Sequence, residues 1–183
     1  MTRVFPYNSL TGILLVVVLM AACSRQVSLD APVRPAIYAV SNTTTRYDIT
    51  FTMGKVQQNG MLITRLHNDE ARLVCASPFG LTLFDITLRN NDYTLNHCIE
   101  PLRNERIWSV LADDFRSIFL TTQGSRTYDN NGQELRRTGS GLTRGTIRYD
   151  ADSHTTQIAH KWLKLHIAIT PQNLSIQDNH ATH

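Results

Sequence analysis

The chain has 183 residues, 42% of them hydrophobic and 18% charged, with 9 glycines and 6 prolines. This is ordinary globular composition at a length suited to one domain. The formal charge of +3 is mild, and the cations form no stripe interleaved with aromatic residues, which excludes the usual footprint of a nucleic-acid-binding surface.

The first distinctive segment is residues 12–20 (GILLVVVLM), preceded by Arg3. A bilayer-spanning helix needs about 20 apolar residues, so the run has the size of a signal-peptide core. It leads into Met20-Ala21-Ala22-Cys23, which resembles a bacterial lipobox with Met in place of the more usual Leu. The resemblance implies that residues 1–22 are a lipoprotein signal peptide and that Cys23 is the acylated first residue. Ser24, where an Asp would favour inner-membrane retention, implies the outer membrane, with the protein lipid-anchored and facing the periplasm. Several acyl chains anchor more firmly than one. Residues 23–37, with Pro32 and Pro35, then form the lipidated cysteine and a flexible spacer.

The folded domain is expected over residues 38–177. Residues 47–55 alternate, with Ile49, Phe51 and Met53 on one face. Residues 57–60 (QQNG) predict a hairpin turn, 61–66 a strand, and 67–70 (HNDE) the next turn. Strands follow at 71–77, 81–88 and 93–99, joined by turns at 77–80 (SPFG) and 89–92 (RNND), which makes an antiparallel meander. Cys75 and Cys98 lie two strands apart in that order, about 9.6 Å, whereas bridged Cα atoms come within about 7 Å. The meander therefore argues against a disulfide, and another strand order would allow one.

Residues 101–120 change period. Ile107, Val110, Leu111, Phe115, Ile118 and Phe119 fall at helical spacing, with charges elsewhere, giving one amphipathic helix with room for one break. Residues 124–141 read as a polar excursion. Strands resume at 142–149 and 155–169 around a turn at 150–153, with a last short strand at 173–177 and a frayed tail at 178–183. The fold class is mainly β (α+β): a strongly curved antiparallel sheet whose opening a helix covers.

No catalytic constellation emerges. Ser140 stands between glycines but in a polar loop, and no H-E-x-x-H or C-x-x-C is present. His160 and His166 would lie on the same face of one strand about 20 Å apart, and the neighbours Asp113 and Asp114 point different ways on the helix. His67, His97 and His154 read as turn or surface residues. The expectation is a protein that is not an enzyme and needs no metal or cofactor. Ile49, Phe51, Met53, Leu83, Leu95, Leu163, Leu165 and Ile167 would line an apolar interior, which suits a packed core or an acyl-chain cavity equally. Phe79 is unusual because it sits between the turn formers Pro78 and Gly80. Its ring either folds back over the strands or stands out to enter a bilayer or a partner's groove, where burial yields roughly 2–3 kcal/mol.

The stretch EARLVCASPFGLTLFDI (residues 70–86) resembles the strand–turn–strand of LolB-like outer-membrane lipoproteins, in which a Pro-Leu-Gly turn joins two hydrophobic strands. It is also similar to a LolB-like group associated with aryl-polyene or related fatty-acid-like pathways. The resemblance implies a half-barrel of the LolA/LolB type with a helical lid, here Leu111, Phe115 and Phe119. Phe79 takes the position of the family's exposed Leu, flanked by Pro78 and Gly80, as a membrane-inserting tip. The implied function is to bind an acyl-chain-bearing ligand (a lipoprotein, a lipid or a lipid-linked polyene) and transfer it to the outer membrane. A LolA-like periplasmic carrier or an inner-membrane exporter would deliver it, and the protein would act as a monomer. The rival expectation is a non-catalytic accessory lipoprotein that docks on an envelope complex.

Overall fold

Tight turns and alternating apolar residues set the element order in the computed structural model, which describes residues 32–68 and 70–172. The strands are β1 (Val33–Arg34), β2 (Thr45–Met53), β3 (Val56–His67), β4 (Glu70–Ala76), β5 (Thr82–Leu88) and β6 (Tyr93–Cys98). After helix α1 (Glu105–Phe119) come β7 (Thr122–Gln123), β8 (Thr127–Tyr128), β9 (Glu134–Thr138), β10 (Gly145–Asp150), β11 (Thr155–His160) and β12 (Leu165–Pro171). The signal peptide, Cys23, most of the spacer, the strand expected at 173–177 and the tail lie outside the described residues. The described residues from Pro32 onward belong to one compact unit.

β1 and β7 form a small ribbon. The other ten strands make one open antiparallel sheet in the order β6-β5-β4-β3-β2-β12-β11-β10-β9-β8. The chain's mainly β character with one helix follows the pattern read from the sequence. Helix α1 starts where Asn104 Oδ1 accepts hydrogen bonds from the backbone N–H groups of Arg106 and Ile107. The break lies just before it, between a single 3₁₀ turn at Glu100–Leu102 and this cap.

The sheet must curve around this helix. α1 has 15 residues, about 22 Å of length. Its Phe115 ring stacks on Phe84 of β5, with centroids 5.9 Å apart, while the preceding residue, Asp114, accepts a hydrogen bond from Thr138 of β9. β5 and β9 are seven positions apart in the strand order, about 34 Å in a flat sheet. Adjacent helix residues reach both only if the sheet wraps the helix. The buried cluster accordingly joins Leu73, Phe84 and Ile86 from one arm with Ile147 and Ile158 from the other, and Trp108 from the helix.

Three expectations are corrected. The first hairpin turns at Gly54 and Lys55, not at 57–60, because Met53 pairs with Val56 and Gly54 supplies the positive φ of 61°. Gln57, Gln58 and Asn59 are strand residues, exposed because β3 pairs with β4 only as far as Met61. The run 155–169 is not one strand: residues 161–164 reverse it into the β11–β12 hairpin, with Lys164 at φ 49°. Trp162 and Leu163 continued the apolar alternation and hid the turn. The excursion at 124–141 is in fact partly sheet, with β9 paired to β10 and its Glu134 and Arg136 buried.

Cys75 and Cys98 are both buried and unbridged, and Phe84 of the intervening strand pairs with each. Burial pushes the Cys75 thiol up to about 12, which suppresses the reactive thiolate. The expected result is two thiols titrated by a disulfide reagent in unreduced, denatured protein lacking residues 1–23. Cys75 should show no reaction at neutral pH while the protein is folded.

Candidate functional site

The turn at Pro78, Phe79 and Gly80 is fixed by backbone chemistry. Ser77 N–H donates to the Leu81 carbonyl at 2.8 Å, Gly80 N–H to the Ser77 carbonyl at 3.0 Å, and Leu81 N–H to Ser77 Oγ at 3.1 Å. Gly80 sits at φ 81° with no heavy atom near the position a Cβ would take. Its constraint is therefore conformational rather than steric. With that geometry Phe79 is 97% exposed. The ring does not fold back over the strands.

The residues assigned to an apolar interior divide into groups. Ile49, Leu83, Leu165 and Ile167 are buried in the core cluster, and Phe51, Leu95 and Leu163 are half-buried against it. Leu83 lies where the pairing of Cys75 with Phe84 and Ala76 with Thr82 leaves a bulge. Met53 shares the face of Ile49 but is exposed at the hairpin tip. Leu111, Phe115 and Phe119, expected to form a lid, are all buried. Trp108 packs edge-on to Phe84 at 5.1 Å, and Phe119 edge-on to Tyr47 at 5.6 Å. Side chains of the helix thus occupy the concave face.

The two arms of the sheet hold the helix by different chemistry. On the β5 side the contacts are aromatic. On the β9–β11 side they are polar. Thr138 Oγ1 donates to Asp114 Oδ1 at 2.5 Å, and His160 Nε2 meets Asp114 Oδ2 at 2.6 Å, with both side chains almost fully buried. Arg136 donates to the Ser117 carbonyl of the helix and, at 2.8 Å, to the Pro35 carbonyl, while its Nε meets Glu134 at 2.7 Å. Gly145 makes room for His160: a Cβ there would stand 2.3 Å from the ring.

Asp113 and Asp114 point apart, as their spacing suggests: Asp113 pairs with Arg116 near the surface. His160 and His166 do not share a face of one strand. The hairpin pairs His166 with Ala159, leaving His166 exposed and His160 buried. Sequence reasoning missed Thr138, Arg136 and His160 as a group. Their only signal was polar residues at alternating, inward positions of β9 and β11. Thr138 bonds the carboxylate rather than the imidazole. Ser140 lies exposed at the start of a 3₁₀ turn. Among the described residues no three His, Cys, Asp or Glu side chains converge on a metal position. A cleft of about 790 Å³ borders Val33, Arg34, Asn90, Asp113, Arg116 and Thr122, a lining of mixed polarity that carries two arginines.

Burial alone would push His160 toward the neutral form, but the hydrogen bond and charge of Asp114 outweigh it and hold the ring above its ordinary value of 6.5. The sign follows: this contribution to stability is complete below 6.5 and declines as pH rises through the raised value. Denaturant titrations should therefore show stability falling as pH rises above 6.5, with the slope reduced in His160→Asn. Asp114→Ala should cost about 3–5 kcal/mol by stranding the partner, read from the same titrations. No protein-family model matches the chain, and no curated protein matches its sequence.

Proposed function

We propose that the chain is a LolB-like, lipid-anchored lipoprotein of the outer membrane, facing the periplasm. It takes an acyl-chain-bearing ligand between helix and sheet and releases it into the membrane. The observation that carries this reading is Phe79, held 97% exposed on a hydrogen-bonded turn. A soluble surface gains nothing from such a ring, whereas a bilayer rewards it by roughly 2–3 kcal/mol. No covalent step is involved. Affinity would come from apolar burial, about 0.8 kcal/mol per CH₂, and release from the equally apolar bilayer beyond.

An acyl chain would enter by replacing contacts that are themselves apolar: Phe115 on Phe84 and Phe119 on Tyr47. The Asp114 and Arg136 bonds hold the helix to the other arm, so the helix would lift from the β5 side. A LolA-like carrier or an inner-membrane exporter would present the ligand. The packed concave face supports a second reading, a non-catalytic accessory lipoprotein that uses Phe79 as an interface anchor.

Native mass spectrometry on protein lacking residues 1–23, made in a periplasm, separates the two. Carriage predicts a discrete added mass and uptake of a fluorescent fatty acid. A bare protein that takes up none overturns carriage and leaves the accessory role. Phe79→Asp should change stability by less than about 0.5 kcal/mol, as an exposed site. It should keep fatty-acid uptake and lose most transfer to vesicles, measured by loss of fluorescence from the protein.

A further inference from the structure

The strand register brings three hairpin tips together at one end of the sheet. Met53 pairs with both Val56 and Leu165, Leu165 with His160, and Gly145, next to His160, with Thr138. The tips at residues 53–56, 161–164 and 139–144 are therefore neighbours, and Gly54 N–H donates to the Lys164 carbonyl across two of them at 3.1 Å. The turn of Phe79 lies at this same end, set back because β4 meets β3 only at Met61.

These tips carry an unusual set of side chains. Trp162 is 60% exposed, Val56 70% and Leu142 71%, with Met53 beside them. Such residues are costly at solvent-facing turns, which normally carry polar side chains. The sequence contains three lysines, Lys55, Lys161 and Lys164, and all are exposed on these tips, joined by Arg144. No acidic residue occurs in 50–60, 136–148 or 157–168. From other elements, Asp114 of the helix is buried and paired with His160, and Glu100, beyond β6 at the same end, is paired with Arg103. At the opposite end of the strands the turns carry Glu70, Asp92, Asp129, Asp150 and Asp152.

We infer that the three tips form a docking rim for an anionic membrane surface, with the lysines on headgroup phosphates and Trp162, Val56 and Leu142 at the headgroup–acyl boundary. The commitment to a bilayer with net negative charge rests on charge complementarity: the cations are clustered with apolar and amphipathic side chains, and the three tips themselves carry no acid. Tryptophan and lysine are the side chains that favour this boundary, the first by its amphipathic ring and the second by its long stem. The rim deepens the membrane-facing reading above by specifying the lipid class. It makes Phe79 one part of a broader contact rather than a lone probe.

The test is sedimentation of the protein lacking residues 1–23, which retains every described element, with vesicles of phosphatidylglycerol and phosphatidylcholine or of phosphatidylcholine alone. The expected result is binding to the anionic vesicles that weakens with salt. Each lysine near a charged surface contributes about fivefold, so K55Q/K161Q/K164Q should lose on the order of 100-fold. Removing an equal charge at the other end with R46Q/R65Q/R89Q should cost far less. Trp162→Ala should weaken binding with little change in its salt dependence. Equal binding to both vesicle types, no binding to either, or a lysine variant that binds like the parent would overturn the rim. Fatty-acid uptake is scored on the same samples. If uptake fails while lysine-dependent vesicle binding persists, carriage falls and the rim stands; if uptake persists without that binding, the rim falls and carriage stands.

Discussion

Everything else in this molecule depends on two neighbouring residues of the helix facing opposite arms of one sheet. Asp114 is bound by Thr138 and His160 on β9 and β11, and Phe115 lies on Phe84 of β5. A ten-stranded sheet with open edges has no closure of its own. Here the helix fills the concavity, and the sheet's right-handed twist supplies the bend that lets both arms reach it. Without α1, the inward faces of Leu73, Phe84, Ile86 and Ile147 would meet water.

The two arms differ in what could replace their contacts. The aromatic side is non-directional, so another apolar group of similar volume could take the place of a ring at little net cost. The polar side cannot be exchanged in that way. Breaking Asp114 from His160, or Arg136 from the Ser117 carbonyl, would leave buried charge or unpaired donors, at several kcal/mol each. A helix held in this manner has one weak edge and one strong edge. That asymmetry is a property of the packing, whatever ligand finally uses it.

Much of this was legible in the sequence, and the failures have physical causes. Period-2 alternation identified β2, apolar runs between turn formers identified β4, β5 and β6, and period 3.6 identified the helix; β5 could not be read by alternation because Leu83, Phe84, Asp85 and Ile86 are all buried. The free cysteines followed from the meander, with Phe84 standing between them. The missed turn at Gly54 was masked by the stronger turn chemistry of Gln57-Gln58-Asn59-Gly60. Those residues are tolerated in a strand because that part of β3 overhangs β4. The missed turn at 161–164 was masked by the opposite fault, since Trp162 and Leu163 look like strand residues. The Asp114–Thr138–His160 cluster was illegible because its members come from three elements. Only the curvature of the sheet brings them together, and periodicity carries no information on that.

That second failure has a functional side. A turn is hard to read when it carries apolar residues where the local backbone does not demand them. Phe79, Trp162, Leu142 and Val56 all break the rule that turn tips are polar, and all four lie at the same end of the strands. At the other end the rule holds, with Asn90, Asn91, Asn131 and Gly132 in the turns. Packing does not explain the difference, because none of the four side chains enters the core. Chance placement accounts poorly for apolar tips and lysines together at one end and acidic turns at the other. A molecule that presents one end to a charged apolar boundary and the other to water needs this polarity. On the docking reading proposed above, the places where local sequence rules fail are the places where the surroundings are no longer water.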